Sequence, residues 1–292
     1  MIFKDKTVIV TGGSEGVGAS AARKFAEAGA NLVVVARSKK KLEAVASELR
    51  ELTSVQIYPM DVRDDDACHS LFKKAAFEFG QVDVLVNNAG YHERGPVAEV
   101  SSEDLAAIID VNLRAPIMLT RLALPYLKEA GGGAVINVGS LAGRAPIPGS
   151  AVYAASKAGL RAFTYAIADE MADSNIKFAL VSPGPIDTGF IMADVDAVSD
   201  LTFSQPISTA DEVAQAVLDL CGNRQREQSM PALSGALTTV MYLMPWLGKW
   251  VRPMLEKKGA RVKRCLLYTS DAADDDRMVV WGGGGGGGGG GG

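Results

Sequence analysis

The hydrophobic pattern of this chain alternates short β-branched runs with longer stretches of helical periodicity. Apolar runs without polar alternation predict strands at 8–10, 31–36, 55–60, 82–87, 133–139 and 176–182. Helix-length stretches lie between them at 17–29, 39–52, 64–79, 102–130 and 151–174. Strands of this kind are buried on both faces, which is typical of a parallel sheet covered by helices. The pattern therefore predicts an α/β fold, a Rossmann-type doubly wound parallel sheet flanked by helices in a single domain.

The C-terminal end of the chain does not resemble a natural protein sequence. Residues 282–292 are all glycine, which can bury no side chain. The string CLLYTSDAAD at 265–274 resembles a translated sequencing adapter. We therefore predict that 1–264 is the domain and that 265–292 is a disordered, non-native read-through tail. The alternative is a natural acidic tail.

Charge and cysteine content narrow the classes of partner. Lys and Arg number 30 against 34 Asp and Glu, a net charge of −4, and without the predicted tail they number 29 against 30. A near-neutral chain gives no reason to expect nucleic-acid binding. Cys68 and Cys221 lie far apart, with no metal-ligand spacing and no disulfide framework, and the first strand follows no secretory signal. We expect a cytoplasmic protein without a metal.

A glycine-rich turn follows the first predicted strand and precedes the first predicted helix. Its sequence, TGGSEGVG at 11–18, would let the backbone approach a pyrophosphate, and the helix would supply free N–H groups. Such a turn also occurs as a plain strand-to-helix connection. Asp61 after the third strand and NNAG at 87–90 after the fourth arrive at the same sheet edge. Three such sequences at one edge favour a nucleotide site.

The residues after the second strand bear on the choice of cofactor. A carboxylate there would bind the ribose 2′-hydroxyl of NAD, whereas an arginine accommodates the 2′-phosphate of NADP. The chain has Ala36 and Arg37, followed by lysines at 39–41. Glu15 in the glycine turn argues for NAD, because its carboxylate would repel that phosphate. On balance the sequence favours NADP (NADPH) over NAD.

A tyrosine and a lysine one helical turn apart carry the predicted chemistry. Tyr153 and Lys157 share one face of a helix, which places the ammonium beside the phenol. A free tyrosine has a pKa of about 10, and a nearby cation stabilises the phenolate and lowers that pKa. The same spacing also occurs as an ordinary surface pair. Ser140 closes the fifth strand, thirteen residues before Tyr153.

Together these motifs resemble the short-chain dehydrogenase/reductase family, from about residue 7 to 219. The matching pieces are TGGSEGVG, Asp61, NNAG, Asn112 in DVNL, Ser140 in VGSLAG, YAASK and SPGPIDT. The resemblance implies that Tyr153 donates a proton to a carbonyl in reduction, or accepts one in oxidation. Ser140 would bind the reacting oxygen, and Lys157 would bind the nicotinamide ribose and lower the pKa of Tyr153. Asn112 would hold a helix bend and a water of the proton relay.

The resemblance also implies a set of cofactor-binding residues along the sheet edge. Thr188 would contact the carboxamide of the nicotinamide. The full expected set is Gly12, Ser14, Glu15, Gly16, Val17, Gly18, Arg37, Ser38, Asp61, Val62, Asn88, Ala89, Gly90, Tyr153, Lys157, Pro183, Gly184, Ile186 and Thr188.

The expected function is hydride transfer between NADP(H) and a ketone or secondary alcohol. The apolar residues in 187–207, where the family places its substrate lid, indicate either an apolar or acyl-chain substrate or simply a lid that packs on the core. They are Phe190, Ile191, Met192, Leu201 and Phe203. One alternative is a non-catalytic nucleotide sensor or scaffold on the same fold. Another is an epimerase or dehydratase of a longer family branch, which the chain length and the glycine spacing oppose.

The segment 236–264 departs from the glycine-rich ending of soluble tetrameric relatives. Apolar residues recur at near-helical spacing from Val240 to Leu255, and five cations follow between 257 and 264. The uninterrupted apolar stretch, 235–248, is too short to span a bilayer. Three interpretations remain open for 240–264: peripheral contact with an anionic membrane, a subunit interface in a homo-oligomer (dimer or tetramer), or a cover over the substrate pocket.

Overall fold

The central feature of the fold is a seven-stranded parallel sheet. The computed structural model describes residues 3–145, 147–189 and 198–279, with side chains described up to residue 265. The strand order is β3-β2-β1-β4-β5-β6-β9, with every pair parallel. The strands are β1 Thr7–Thr11, β2 Asn31–Ala36, β3 Val55–Pro59, β4 Val84–Asn87, β5 Gly133–Val138, β6 Ile176–Pro183 and β9 Glu227–Met230. The predicted doubly wound sheet is confirmed.

Helices cover both faces of the sheet. They are α1 Gly16–Glu27, α2 Lys39–Leu49, α3 Asp65–Phe79, α4 Ser102–Ile109, α5 Ala115–Glu129, α6 Ala151–Glu170, α7 Ala210–Gly222, α8 Ala232–Leu243 and α9 Pro245–Val279. Buried residues of α1, α2 and α7 form one core with the strands. Buried residues of α3 and α5 form the other. In β1, Val8 and Val10 enter the first core and Ile9 the second, which explains why the strands show no polar alternation.

The six predicted strands are present, with ends shifted by two residues at most. The seventh strand, β9, was not predicted, because Glu227-Gln-Ser-Met230 is polar. It pairs with β6 at the edge of the sheet, and all four of its residues are partly buried. A two-stranded pair, β7 Ile186–Asp187 and β8 Ser208–Thr209, lies outside the main sheet.

The stretch predicted as one helix over 102–130 is two helices joined by a π turn. The turn spans Asp110–Arg114 and separates α4 from α5. A π turn inserts a residue into the helical ladder and bends the helix axis. The turn contains Asn112, whose side chain is fully buried.

The C-terminal segment folds as two consecutive helices, α8 and α9. Helix α9 continues to Val279, past Cys265 where we expect the tail to begin. The part of the predicted tail from 280 to 292 lies outside the described residues. So do residues 190–197 of the predicted lid, including Phe190, Ile191 and Met192.

Candidate active site

A cavity of about 1150 Å³ opens at the carboxyl ends of the strands. It lies between β1 and β4, where the strand order reverses, the usual ligand position in a doubly wound sheet. The glycine turn after β1, the NNAG segment after β4 and the loop after β6 all contribute to its wall. Pockets for small ligands are typically about 300–1,000 Å³, so this one is large enough for a dinucleotide and a second molecule.

Hydrogen bonds from the NNAG segment hold the glycine turn in place. The side-chain amide of Asn88 donates to the carbonyls of Thr11 and Gly12, at 3.0 and 3.1 Å. The Thr11 hydroxyl accepts from the backbone N–H groups of Asn88 and Ala89, at 3.0 and 3.1 Å. Two separate loops of the sheet edge therefore form one rigid unit.

The turn requires glycine because other backbone lies against it. Gly12 has a φ of +65°, and a Cβ there would lie 2.8 Å from the Cα of Ala89. A Cβ on Gly18 would overlap the carbonyl of Gly12 and the amide of Asn88. At the start of α1, Glu15 makes no side-chain capping hydrogen bond. This cradle and the uncapped helix N-terminus fit the pyrophosphate of a dinucleotide.

Three cations surround the far end of the cavity: Arg37, Lys41 and Arg63. Lys41 pairs with Glu15 at 2.7 Å, so the Glu15 carboxylate carries its own counter-ion. Arg63 pairs with Asp61 at 2.8 Å. The hydrogen bond from Arg63 is the largest influence on the pKa of Asp61 and lowers it, with a smaller contribution from the charge of Arg37.

Ser140, Tyr153 and Lys157 meet in the middle of the cavity. Ser140 lies close enough to Tyr153 for a side-chain hydrogen bond to lower the pKa of the phenol. The Ser140 hydroxyl also accepts from the backbone N–H of Ala142, at 3.1 Å. Lys157 is buried, donates from Nζ to the carbonyl of Val138 at 2.9 Å, and lies 5.8 Å from the centre of the Tyr153 ring.

The pKa of Tyr153 is raised, whereas the sequence led us to expect a lowered value. Burial raises the pKa, and it outweighs the hydrogen bond from Ser140 and the charge of Arg94, which both lower it. The ammonium of Lys157 donates to a backbone carbonyl rather than to the phenol. Burial lowers the pKa of Lys157 to about 8, so the ammonium is still the major form at neutral pH.

Asn112 does not line the cavity, and neither does Gly18, whereas every other predicted site residue does. The Asn112 amide instead clamps the backbone of Tyr91. Its nitrogen donates to the Tyr91 carbonyl and its oxygen accepts from the Tyr91 N–H, both at 2.8 Å. Asn112 also donates to Ser156 at 3.2 Å. The expected helix bend is present as the π turn, and the side chain fixes the segment that follows NNAG.

A model of the short-chain dehydrogenase family matches residues 6–198 of the chain. The chain belongs to the short-chain dehydrogenase family. It is therefore an oxidoreductase, and the family uses the nicotinamide cofactors NAD and NADP.

Named relatives of this short-chain dehydrogenase include two bacterial reductases. Sulfoacetaldehyde reductase 2 of Chromohalobacter salexigens is 36% identical over 217 residues, which cover 72% of this chain and 86% of the relative. Ketoacyl reductase HetN of a Nostoc species is 35% identical over 215 residues, which cover 73% and 75%. The solved structure of a candidate short-chain alcohol dehydrogenase from Sinorhizobium meliloti has a TM-score of 0.69 at 31% identity, covering 75% of this chain and 90% of its own.

The predicted site set leaves out several residues that line the cavity of this short-chain dehydrogenase. They are Lys41, Arg63, Tyr91, His92 and Arg94. Lys41 lies in the first turn of α2 and Arg63 in the loop after β3, each close in the chain to predicted residues. Tyr91, His92 and Arg94 directly follow NNAG, so their position in the chain was the available signal. No spacing rule connects them with Tyr153.

The loop after β6 and the described end of the predicted lid complete the cavity wall, and α9 packs against that end of the lid. Pro183, Gly184, Ile186 and Thr188 line it as expected. So does the described end of the predicted lid, Val198 to Thr202, except for Asp200. Val262 of α9 packs on Val198 and Phe203, and the Lys263 ammonium donates to the Val198 carbonyl at 2.9 Å.

The outer face of α8 and α9 is apolar and exposed. Leu233, Leu243, Trp246, Trp250 and Met254 are 73%, 73%, 59%, 83% and 65% exposed. Among the residues that the structure describes, no helix combines the length and the apolar character that crossing a membrane requires.

Proposed function

We propose that this chain is an NADP(H)-dependent reductase of ketones, working in reverse on secondary alcohols. The observation that carries the proposal is the placement of Ser140, Tyr153 and the buried ammonium of Lys157 along one cavity that begins at the glycine cradle. Bound cofactor would supply the hydride.

Each residue of the triad has a separate task. Ser140 donates a hydrogen bond to the substrate oxygen as negative charge develops there. Tyr153 transfers its phenolic proton to that oxygen and is left as the phenolate. Lys157 supplies the positive charge that favours the phenolate and binds the nicotinamide ribose. Asn112 holds the π turn that positions the neighbouring wall and a water of the relay.

A ketone panel assayed with NADPH tests this proposal. The wild-type chain is expected to oxidise NADPH in the presence of at least one ketone. Ser140→Ala removes one electrostatic partner of the oxyanion and should lower kcat about 100- to 1,000-fold. Ser174→Ala, a serine remote from the cavity, is the matched control and should retain activity. Equal rates in Ser140→Ala and wild type would overturn the proposed chemistry.

The cofactor proposed is NADP, held by a cationic pocket at its adenosine end. Arg37, Lys41 and Arg63 line this end, and the carboxylates of Glu15 and Asp61 are each paired with one of these cations. The pairing removes the main objection to a bound 2′-phosphate, which was the charge of Glu15. Arg37 is exposed and presents the planar donor group that suits phosphate.

Fluorescence titrations with NADPH and with NADH test the cofactor choice. Wild type should bind NADPH more tightly. Arg37→Ala should weaken NADPH binding by about tenfold and leave NADH binding within about twofold, because only NADPH carries the phosphate. Arg121→Ala, an exposed arginine on α5, should change neither. Tighter binding of NADH by wild type would mean that Glu15 decides the preference.

For the substrate we propose a ketone attached to an apolar or acyl chain. The cavity wall outside the predicted cofactor-binding set includes several apolar residues, among them Val111, Leu141, Ala145 and Ile147. Ketoacyl reductase HetN, among the relatives, is named for a substrate of this kind. Sulfoacetaldehyde reductase 2 is named for a small charged aldehyde, so a panel should contain both classes. Faster turnover of the charged aldehyde would contradict the apolar assignment.

We further propose that the exposed face of α8 and α9 contacts an anionic membrane surface. Trp246, Trp250 and Met254 present apolar side chains to solvent. Lys249, Lys257 and other cations of α9 accompany them. Apolar and aromatic side chains combined with cations are typical of helices that lie in the plane of an anionic membrane. The opposite side of α9 packs on residues 198–204, so this helix also covers the cavity wall.

Flotation of the full chain with vesicles tests whether this face binds a membrane or a second subunit. We expect binding to vesicles containing phosphatidylglycerol at low salt, and little binding to pure phosphatidylcholine. Trp250→Ser should reduce binding, whereas Phe77→Ser, which removes an aromatic residue that is 91% exposed on α3, should not. Absence of binding together with a Trp250-dependent dimer in gel filtration would identify a subunit interface instead.

A further inference from the structure

His92 is packed face to face against the proposed proton donor. Its ring centre lies 4.2 Å from that of Tyr153, and the two ring planes are 19° apart. Ring pairs with centres 4.5–7 Å apart are ordinary packing, and this pair is closer than that range. The contact covers one face of the Tyr153 ring.

The chain around His92 is fixed on both sides. On one side, Asn112 clamps the N–H and the carbonyl of Tyr91, the residue directly before His92. On the other side, the Gly95 N–H donates to the carbonyl of Gly149 at 3.0 Å, two residues before α6 begins. The segment 91–95 is therefore held between the buried π turn and the start of the helix that carries Tyr153. A short segment held at both ends can position a ring accurately.

Hydrogen bonds at the phenol oxygen do not determine the plane of the Tyr153 ring. The hydrogen bond with Ser140 constrains the oxygen, and the ring can still rotate about its own axis. Packing against His92 removes that rotation. A small error in the placement of a reacting group costs rate, because the productive geometry is then occupied less often.

We propose that His92 is a positioning residue, which holds the Tyr153 ring in the plane that proton transfer requires. The inference rests on the proposed role of Tyr153 as proton donor. His92 acts through its ring face and not through a proton. Two cations face it, Arg94 and Lys157. Burial and these two charges lower the pKa of His92 to about 4, so the ring is neutral at the pH of an ordinary assay.

The kinetic test compares the replacement of His92 by a planar aromatic residue with its replacement by an aliphatic one. His92→Leu should lower kcat about tenfold, with NADPH affinity and the KM of the ketone within about twofold of wild type. His92→Phe keeps a planar ring and should restore most of kcat. His69→Leu replaces the chain's other histidine, exposed on α3, and should match wild type. Equal kcat in His92→Leu and wild type would overturn the inference. So would a His92→Phe variant as slow as His92→Leu, because the nitrogens would then be the required feature.

A measurement that does not depend on turnover tests the stacking itself. In protein with isotope-labelled histidine, only two side chains give signals. The His92 ring protons should be shifted upfield by the Tyr153 ring, and Tyr153→Leu should move them downfield while His69→Leu leaves them in place. No response to Tyr153→Leu would contradict the stacking. A response without any ketone turnover in wild type would keep the stacking and refute the proposed function.

Discussion

Tyr153 is half-buried, and its surroundings shift the pKa of its phenol in opposite directions. Burial raises the pKa, while the hydrogen bond with Ser140 and the charge of Arg94 lower it. The proposed oxidation of an alcohol needs the phenolate. The kcat/KM for oxidation should therefore increase with pH into the alkaline range.

The contribution of Arg94 to this pH profile can be measured with one substitution. Arg94→Gln removes a charge that lowers the pKa of Tyr153. The midpoint of the kcat/KM profile for alcohol oxidation, measured with saturating NADP, should move to higher pH. Arg121→Gln, remote from the cavity, should leave the midpoint unchanged. A midpoint that stays in place or moves to lower pH in Arg94→Gln would show that Arg94 does not influence the proton donor.

The sequence identified which residues belong to the site more successfully than it identified which of them contact one another. Ser140, Tyr153 and Lys157 were placed in one site by motif order. The pairing of Glu15 with Lys41 was not foreseeable, because it depends on how the turn after β2 faces the turn after β1. The stacking of His92 on Tyr153 joins a loop residue to a residue of α6 that is 61 positions away in the chain, and no periodicity connects them.

The π turn at Asp110–Arg114 carries Asn112, which connects helices α4 and α5 to the segment that follows NNAG. Asn112→Ala would leave the N–H and carbonyl of Tyr91 without their clamp. We expect a loss of about 2 kcal/mol in the free energy of unfolding, together with reduced ketone turnover. Urea denaturation measures the first. Asn175→Ala, at an exposed asparagine, is the control and should cost less than about 0.5 kcal/mol. Similar stabilities for the two variants would contradict this role of the clamp.

The edge strand β9 is held by a buried ion cluster. Glu227 accepts from Arg144 and Arg161, both at 2.9 Å, from Ser182 at 2.7 Å and from Tyr165 at 2.9 Å. Burial alone would raise the pKa of Glu227, but these hydrogen bonds and charges outweigh it, so the pKa is lowered. Arg144 also belongs to the turn directly after Ser140, which links this cluster to the site.

Glu227→Gln should destabilise the protein by about 3 kcal/mol at pH 7, because it leaves Arg144 buried without its counter-ion. The folded-state pKa lies below the unfolded value of 4.5. The stabilisation is therefore fully present above pH 4.5 and is lost as the pH falls through the folded-state pKa. Urea denaturation at a series of pH values should show the two proteins converging in acid. A constant difference would contradict the assignment, and Glu129→Gln, exposed on α5, serves as the control.

The hydrophobic pattern predicted the strands that bury apolar side chains on both faces of the sheet. It missed the elements whose buried contacts are polar. The predicted strands are largely apolar and most of them are buried on both faces, so their pattern was visible. Strand β9 is polar because its side chains serve the cluster around Arg144, and no hydrophobic pattern marks it. The π turn was invisible because the helical periodicity of 102–130 continues almost unchanged across it.

For the whole molecule, the boundary between protein and predicted tail can be tested by deletion. The described contacts of α9 with the 198–204 segment come from Gly259, Val262 and Lys263, all upstream of 265. Removing 265–292 should therefore change the free energy of unfolding by less than about 0.5 kcal/mol and leave ketone turnover within about twofold. A large loss of either would show that the tail belongs to the native protein.

We propose Tyr153 as the proton donor of an NADPH-dependent ketone reductase. The most direct test measures ketone-dependent NADPH oxidation by wild type and by Tyr153→Phe, with NADPH affinity determined by fluorescence on the same samples. Phenylalanine keeps the ring, and hence the packing on His92, but removes the proton. We predict that kcat falls about 100- to 10,000-fold while NADPH affinity stays within about twofold. Undiminished turnover in Tyr153→Phe would contradict the account.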